Sequence, residues 1–467
     1  MAADEGEAPA PPEKIDDGDR PSSRPWSVLR RYPDFRRLFV GNCTSLLGSS
    51  VTMVALPLTA VVSLNASPVQ MGLLGAAALL PHLVLGLPAG VWVDRVPYRR
   101  ILVLADLVQA LLLGSVPILA VLGLLQIWHL YAVMALAGVC GLFEAVTAQS
   151  FTPLLVPREQ LLPANSALML SNTTVTTTGS ALGGVLVSLL TAPIAIAVDA
   201  VSFLLAGVCK ARIRSPGPAV VSIERRQRHL WADVLDGVRA VFAHRIIRAV
   251  TLAATLGALG GQIQNVVLVL YLVRDLKLSP AVIGVVIAIG GVAGILGALV
   301  VTPITRFIGP GRSFIAGMFL AAIAGLVLAA ALSPLSPVLA VLVVAQVLRG
   351  TGPSLYSVNQ QTLRQALITP ALLSRANATW RFLVYGTQPL GALLGGVLGS
   401  VLSLRATLVI GGGVMLLGTA IACASPLRSL RELPAPERDD KSTPSEVAGP
   451  SLTGRGMRRR FLGGFRG

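Results

Sequence analysis

Few side chains in this 467-residue sequence could do chemistry, and the notable ones stand inside long apolar runs. Glu144, Asp199 and Asp106 supply carboxylates; Arg349 and Arg381 supply guanidinium groups. An ionisable group near a bilayer centre costs on the order of 3 kcal/mol on insertion scales, so each is a functional candidate by default. The chemistry on offer is reversible protonation. Glu144 is expected to take up and release a proton as its surroundings change from dry to wet, with Asp199 as a second candidate. Asp199 also has a structural reading, in which it bonds neighbouring helices through Ser202. Gln262, Gln264, Asn265 and Asn359 offer neutral hydrogen-bonding groups to a small molecule. The threonines of Asn172–Thr178 suit bonds to their own backbone instead.

Nothing else suggests a reaction. Cys43, Cys140, Cys209 and Cys423 fall in apolar runs at scattered spacing, without a metal pattern. The four histidines are equally scattered, and His82 reads as a packed residue. No G-x-x-x-x-G-K-[ST] phosphate loop occurs, so ATP drive is not expected. The sequence therefore predicts no catalytic residue, no metal, no cofactor and no enzyme.

The elements that must position these side chains are membrane spans. The chain is 54% hydrophobic and only 13% charged, where a soluble domain would be nearer a quarter charged. Twelve apolar runs of spanning length are expected, at about 38–62, 69–93, 101–124, 129–152, 165–190, 193–210, 247–273, 281–305, 312–333, 337–362, 377–403 and 406–425. The fold class is thus an all-α polytopic membrane protein. Arginine occurs in alternate loops, at 94–100, 153–164, 306–312 and 363–376, which places both termini in the cytoplasm. The same asymmetry accounts for the net charge of +16 without nucleic acid, for which no folded basic module is present. Residues 1–34 lack an early apolar core, so no cleavable signal peptide is expected.

Five segments follow. Residues 1–30 read as a disordered cytoplasmic tail and 31–210 as a first six-helix bundle. Residues 211–246 read as a cytoplasmic loop, 247–425 as a second bundle and 426–467 as a disordered basic tail. Within the loop, Leu230, Val234, Val238 and Val241 fall on one helical stripe and suggest an amphipathic helix on the inner surface.

The second bundle repeats the first at an offset of 212 residues. Ser67-Pro68 and Gly72 match Ser279-Pro280 and Gly284; Ala164-Asn165 matches Ala376-Asn377; Gly183-Gly184 matches Gly395-Gly396. Each element has a physical use. Proline suits the first turn of a helix. Asn165 and Asn377 can cap the helices that follow them. Glycines four apart give faces where helices approach closely. The repeat makes Tyr356 the mate of Glu144, and sets Ala137 where the second copy has Arg349.

Between the second and third runs lies Gly90-Val91-Trp92-Val93-Asp94-Arg95-Val96-Pro97-Tyr98-Arg99-Arg100. With the twelve runs, the parallel repeat and the basic central loop, this turn resembles the loop-2/3 signature of the major facilitator superfamily, over about residues 30–425. Phe35-Arg36-Arg37-Leu38-Phe39 and Val198-Asp199-Ala200-Val201-Ser202-Phe203 look like its proton-driven drug-exporter branch, which includes macrolide efflux proteins and the enterobactin exporter. Pro97 replaces that turn's usual glycine, and the fifth run lacks the Gly-Pro common in antiporters.

The resemblance implies two bundles related by a pseudo-two-fold, with substrate handled between them. It implies that spans one, four, seven and ten line the cavity. Glu144 then faces Arg349, which would be its counter-charge or an anchor for an anionic substrate, with Tyr356 nearby. It further implies a cytoplasmic gate of Gly90, Asp94, Arg95, Arg99, Arg100, Asp106, Asn377 and Arg381, in which Asp94 meets the start of span eleven. The expected function is export of amphipathic organic molecules, such as antibiotics or secondary metabolites, in exchange for protons. The expected protein is a monomer in the bacterial plasma membrane, whose partners are a small molecule, protons and lipid. A dedicated siderophore or metabolite exporter is the alternative within the class. A polytopic membrane enzyme or lipid flippase is the alternative outside it.

Overall fold

The computed structural model describes residues 27–93, 95–214, 230–331 and 335–430. Those residues are overwhelmingly helical, with no strand among them. Twelve long helices run as α1 (Pro33–Leu58), α2 (Pro68–Val93), α3 (Tyr98–Val121), α4 (Ile127–Leu155), α5 (Leu161–Leu190) and α6 (Ala192–Ala211). The second six are α7 (Arg245–Leu270), α8 (Pro280–Ile308), α9 (Pro310–Ala329), α10 (Leu335–Leu367), α11 (Pro370–Val401) and α12 (Leu404–Ala424). Eleven of them are long and apolar enough to cross a membrane. The other, α5, carries the polar run Asn172–Thr178; its 30 residues extend about 45 Å, enough to cross as well.

The repeat is visible in the backbone. Pro33 and Arg245, Pro68 and Pro280, Tyr98 and Pro310, and Ala192 and Leu404 start helices 212 residues apart. Both α1 and α7 run on into a π-helical turn, Thr59–Ser63 in one and Tyr271–Asp275 in the other. Two residues beyond each turn, Asn65 and Lys277 take left-handed backbone at φ of 51° and 52°. Pro68 and Pro280 open their helices as the sequence predicts. Ser67 and Gln70 close a reciprocal capping box at the first of these, each backbone N–H donating to the other's side-chain oxygen.

Asn165 and Asn377 do not cap. α5 and α11 begin earlier, at Leu161 and Pro370, so both asparagines sit inside their helices. The cause is the preceding Pro-containing turns, which start the helix before the apolar run begins. Of the tails expected to be disordered, Ser27–Arg31 is a short helix with Val28 buried against Phe35 and Leu38. Pro426–Ser429 is a 3₁₀ turn, and the rest of both tails lies outside the described residues.

Two helix pairs make most of the contact between the halves, α2 with α11 and α5 with α8. These pairs are mates under the repeat. Gly184 and Gly284 are in backbone contact at one seam, where a methyl on either would collide with the other. At the other seam, a methyl on Gly72 would lie 2.8 Å from the Ala392 carbonyl and 2.9 Å from Gly396 Cα. All four glycines lie toward the face opposite the starts of α1 and α7. There the Arg274 guanidinium donates to the carbonyls of Asn65 at 3.1 Å and Ala66 at 2.8 Å, tying the two halves together.

The helix expected between the bundles forms at Leu230–Ala243. It is held by protein rather than by a surface alone. Gly237 seats against the Arg375 backbone and the Thr379 hydroxyl of α11, and Val241 is buried with Ile247, Ile368 and Ala376. Val238, on the expected apolar stripe, is exposed.

Candidate functional site

Three helices of the first half bring charged side chains together in the interior. Lys210, in the last turn of α6, places its ammonium 3.0 Å from Asp106 Oδ1 on α3 and in an ion pair with Glu144 Oε1 on α4. Lys210 and Asp106 are fully buried, and 16% of the Glu144 side chain is exposed. Gln109, one turn along α3 from Asp106, donates from Nε2 to Glu144 Oε2 at 3.3 Å. Glycines make the convergence possible. A methyl on Gly41 of α1 would sit 3.0 Å from Lys210 Cγ, and one on Gly207 would sit 3.4 Å from Asp106 Cβ. Two carboxylates thus share one ammonium, and Asp106 Oδ2 has no hydrogen-bond partner among the described residues. Such a site can hold a proton on one carboxylate and keep an ion pair through the other.

Beside this cluster lies a cavity of about 480 Å³ between α1, α2, α3, α4, α6 and α7. Its wall is mostly apolar and includes Met53, Met71 and Met134, side chains that adapt to varied shapes. Its polar groups include Thr52, His82, Gln109, Asp199, Gln262 and Asn265. Gln109 therefore belongs to both regions: it lines the cavity and bonds Glu144. Asp199 is fully buried at the wall. Its Oδ1 accepts from the Ser202 hydroxyl at 3.1 Å, whereas Oδ2 has no partner among the described residues. Gly48 of α1 leaves the room that both side chains need.

The expected pairing of Glu144 with Arg349 does not form. The counter-charge of Glu144 is Lys210, and Arg349 donates from Nη2 to Asn265 Oδ1 at 2.8 Å. Arg349 thus reaches the cavity wall through Asn265. Gln262 and Asn265 line the cavity as expected, but Gln264 does not. One residue on from Ile263, Gln264 points to α12, where its Nε2 donates to the Leu408 carbonyl at 3.1 Å. Asn359 is buried between helices, bonded to Thr305 of α8 and to Leu355 in its own helix. Tyr356 packs edge-on to Phe314 of α9, ring centroids 6.3 Å apart.

The gate residues are dispersed. Gly90 lies in the last turn of α2, and Asp94 lies outside the described residues. Arg95, Arg99 and Arg100 are exposed at the turn. Asp106 belongs to the Lys210 cluster. Arg381 is exposed on α11 with Asn377 one turn before it, both well inside the helix that Pro370 begins.

Lys210 is the residue that sequence reasoning missed. It ends the sixth apolar run, where a basic flank is expected, so its charge looked explained. The signal was a lysine in a chain whose basic residues are almost all arginine.

The sequence profile of the transmembrane secretion effectors matches residues 23–457. The multidrug efflux pump Tap of Mycolicibacterium fortuitum is 25% identical over 83% of this chain and 94% of its own length. The enterobactin exporter EntS of Escherichia coli is 26% identical over 87% and 96%. In fold, the nucleoside transporter NupG aligns over 84% of this chain and 98% of its own, at a TM-score of 0.67 and 12% identity. A bacterial homologue of the iron transporter ferroportin, in an inward-facing state, aligns at 0.66 and 16% over 85% and 99%. The chain is a multi-pass membrane transporter rather than an enzyme, and it belongs to the transmembrane secretion effector family of the major facilitator superfamily.

Proposed function

We propose that this protein exports amphipathic organic compounds in exchange for protons, by alternating access of the central cavity. The observation that carries the reading is Gln109, which lines the cavity and holds Glu144 of the Lys210 cluster. A ligand that displaces or turns Gln109 alters the hydrogen bonding of Glu144, and so its hold on a proton. Glu144 is the proton-carrying group in this reading, and Lys210 keeps the remaining charge neutralised. Asp106 shares the cation. The unpartnered Asp199 oxygen offers an acceptor to an ammonium or hydroxyl on the ligand, and the methionines cover its apolar part. The efflux names of the relatives Tap and EntS support the direction.

The seams at Gly72–Gly396 and Gly184–Gly284, with the Arg274 bonds, are the contacts that part when the halves rock. Residues 31–210 and 247–425 are the rocking bodies, joined through 211–246, and the working unit is a monomer. The arginine-rich face lies in the cytoplasm with both termini, in a bacterial plasma membrane. Asp94 and the start of α11 form the opposing gate. A dedicated exporter of an anionic metabolite is the second reading, favoured by Arg349 beside the cavity wall.

The test uses inverted vesicles made acidic inside, with uptake of lipophilic cationic, neutral and anionic compounds followed before and after the gradient is collapsed. Gradient-dependent uptake is expected for the wild type and its loss in Glu144→Gln. Full gradient dependence in that variant would remove Glu144 from coupling. Preference for anions would favour the second reading.

A further inference from the structure

A second unsatisfied site lies outside the cavity, at the C-terminal end of α10. Arg364 is only 7% exposed, and its guanidinium lies flat on the Trp380 ring of α11, 3.8 Å from the centroid. The stack leaves its N–H groups in the guanidinium plane, off the ring face. Arg364 Nε and Nη1 and the Trp380 indole nitrogen are all buried without a hydrogen-bond partner. All three are donors, and among the described residues no acceptor serves them. The ion pairs of the described residues use Asp34, Asp106 and Glu144, none of which meets Arg364. Arg381, next to Trp380, is close enough to repel Arg364 and is exposed. Burying a cation beside a second cation, with its donors unused, is costly unless an anion completes the site.

We propose that Arg364, Trp380 and Arg381 form a binding site for an oxyanion, and that its occupant is the phosphodiester headgroup of an anionic phospholipid. The guanidinium fork matches two phosphate oxygens, and the indole N–H can reach a third acceptor. Position favours lipid over a soluble ion. The site lies near a helix end, where aromatic side chains gather at the headgroup level. Tyr385 packs edge-on to Trp380, ring centroids 5.9 Å apart, and Tyr385 and Phe382 offer exposed aromatic surface for acyl chains. Basic pockets between spans are a known form of headgroup site. The first half has no copy: Thr152 stands in the repeat position of Arg364 and bonds its own helix at the Ala148 carbonyl.

Purified full-length protein would be titrated with phosphatidylglycerol or phosphatidylcholine and bound lipid counted by native mass spectrometry. Inorganic phosphate would be tested by protection against thermal unfolding and by its displacement of bound phosphatidylglycerol. Wild type is expected to retain phosphatidylglycerol over phosphatidylcholine. Arg364→Gln is expected to weaken phosphatidylglycerol retention about tenfold, the loss of one charge-assisted bond. Arg381→Gln, an exposed change that leaves the fold intact, should weaken it by a smaller factor, on the order of threefold, as for a surface ion contact. Protection by inorganic phosphate that competes with the lipid would overturn the lipid assignment and make the occupant a free oxyanion. Unchanged phosphatidylglycerol retention in Arg381→Gln and Trp380→Phe would overturn the site, whether or not Arg364→Gln folds.

Discussion

The two halves share a scaffold and differ in what fills it. In the first half, Asp106, Glu144 and Lys210 meet between α3, α4 and α6. The residues 212 positions later are Met318, Tyr356 and Ala422, and they too meet, in an apolar cluster with Phe314 and Val250. Gln109 is answered by Ala321, and Asp199 by Gly411. Gly48 makes room for the Asp199 and Ser202 side chains, whereas its mate Gly260 meets the Gly411 backbone and Met415. The same helix contacts are therefore met by an ionic group in one half and by ordinary packing in the other. Helix starts, π turns and seam glycines set the scaffold, and among the described residues the buried acids Asp106 and Asp199 stand on one copy only. The first half thus holds the ionic cluster, while the second brings Asn265 to the cavity wall with Arg349 bonded behind it.

The comparison is broken most severely by removing the cation. Lys210→Met leaves two buried carboxylates facing each other and is expected to cost about 3–5 kcal/mol, read as lost folded yield and a lower unfolding temperature. Transplanting the second half's set, Asp106→Met with Glu144→Tyr and Lys210→Ala, should recover much of that stability, because replacing a whole buried ion cluster by apolar groups is often neutral. Gradient-driven uptake should stay absent in the transplant. Recovery of transport would show that the ionic set is only structural.

A smaller effect sharpens the cavity's share. Asp199→Asn keeps the Ser202 bond within reach and removes the charge, so uptake of cationic compounds should fall about tenfold relative to neutral ones. An equal fall for both classes would assign Asp199 to packing. At the far face, Arg274→Ala removes two bonds to carbonyls, worth about 1–3 kcal/mol of closure. Cross-linking yield between cysteines placed at 65 and 277 should drop in that variant. The smallest change in transport is expected for Gln264→Leu, which should lower stability by about 1 kcal/mol and leave the range of exported compounds unchanged.

Much of the fold was legible because hydrophobic runs of spanning length and arginine-bearing turns are local features. The 212-residue offset was readable from Ser-Pro and Gly-Gly pairs, and the backbone repeats it down to Asn65 and Lys277. The helix starts at Leu161 and Pro370 were not readable, because a proline-containing turn can begin a helix before the apolar run does. The site was half legible. An acid inside an apolar run announces itself by its cost, so Glu144, Asp106 and Asp199 stood out. A lysine at the end of a run does not, since its long stem can carry the charge either outward to water or inward to a partner.

The sequence by itself determined that the chain is a multi-pass membrane protein, that its halves are copies, and which side chains are too costly there to be incidental. Each of these depends on residue type and spacing alone. Only the tertiary structure decided partners. It joined Lys210 to Asp106 and Glu144 across 104 and 66 residues of sequence. It gave Arg349 to Asn265, turned Gln264 away from the cavity, and laid Arg364 on Trp380 without an acceptor. A helix of 3.6 residues per turn faces several neighbours at once. Which neighbour a given side chain meets depends on how the helices rotate and approach, and the glycines at their contacts set that only once all twelve are packed.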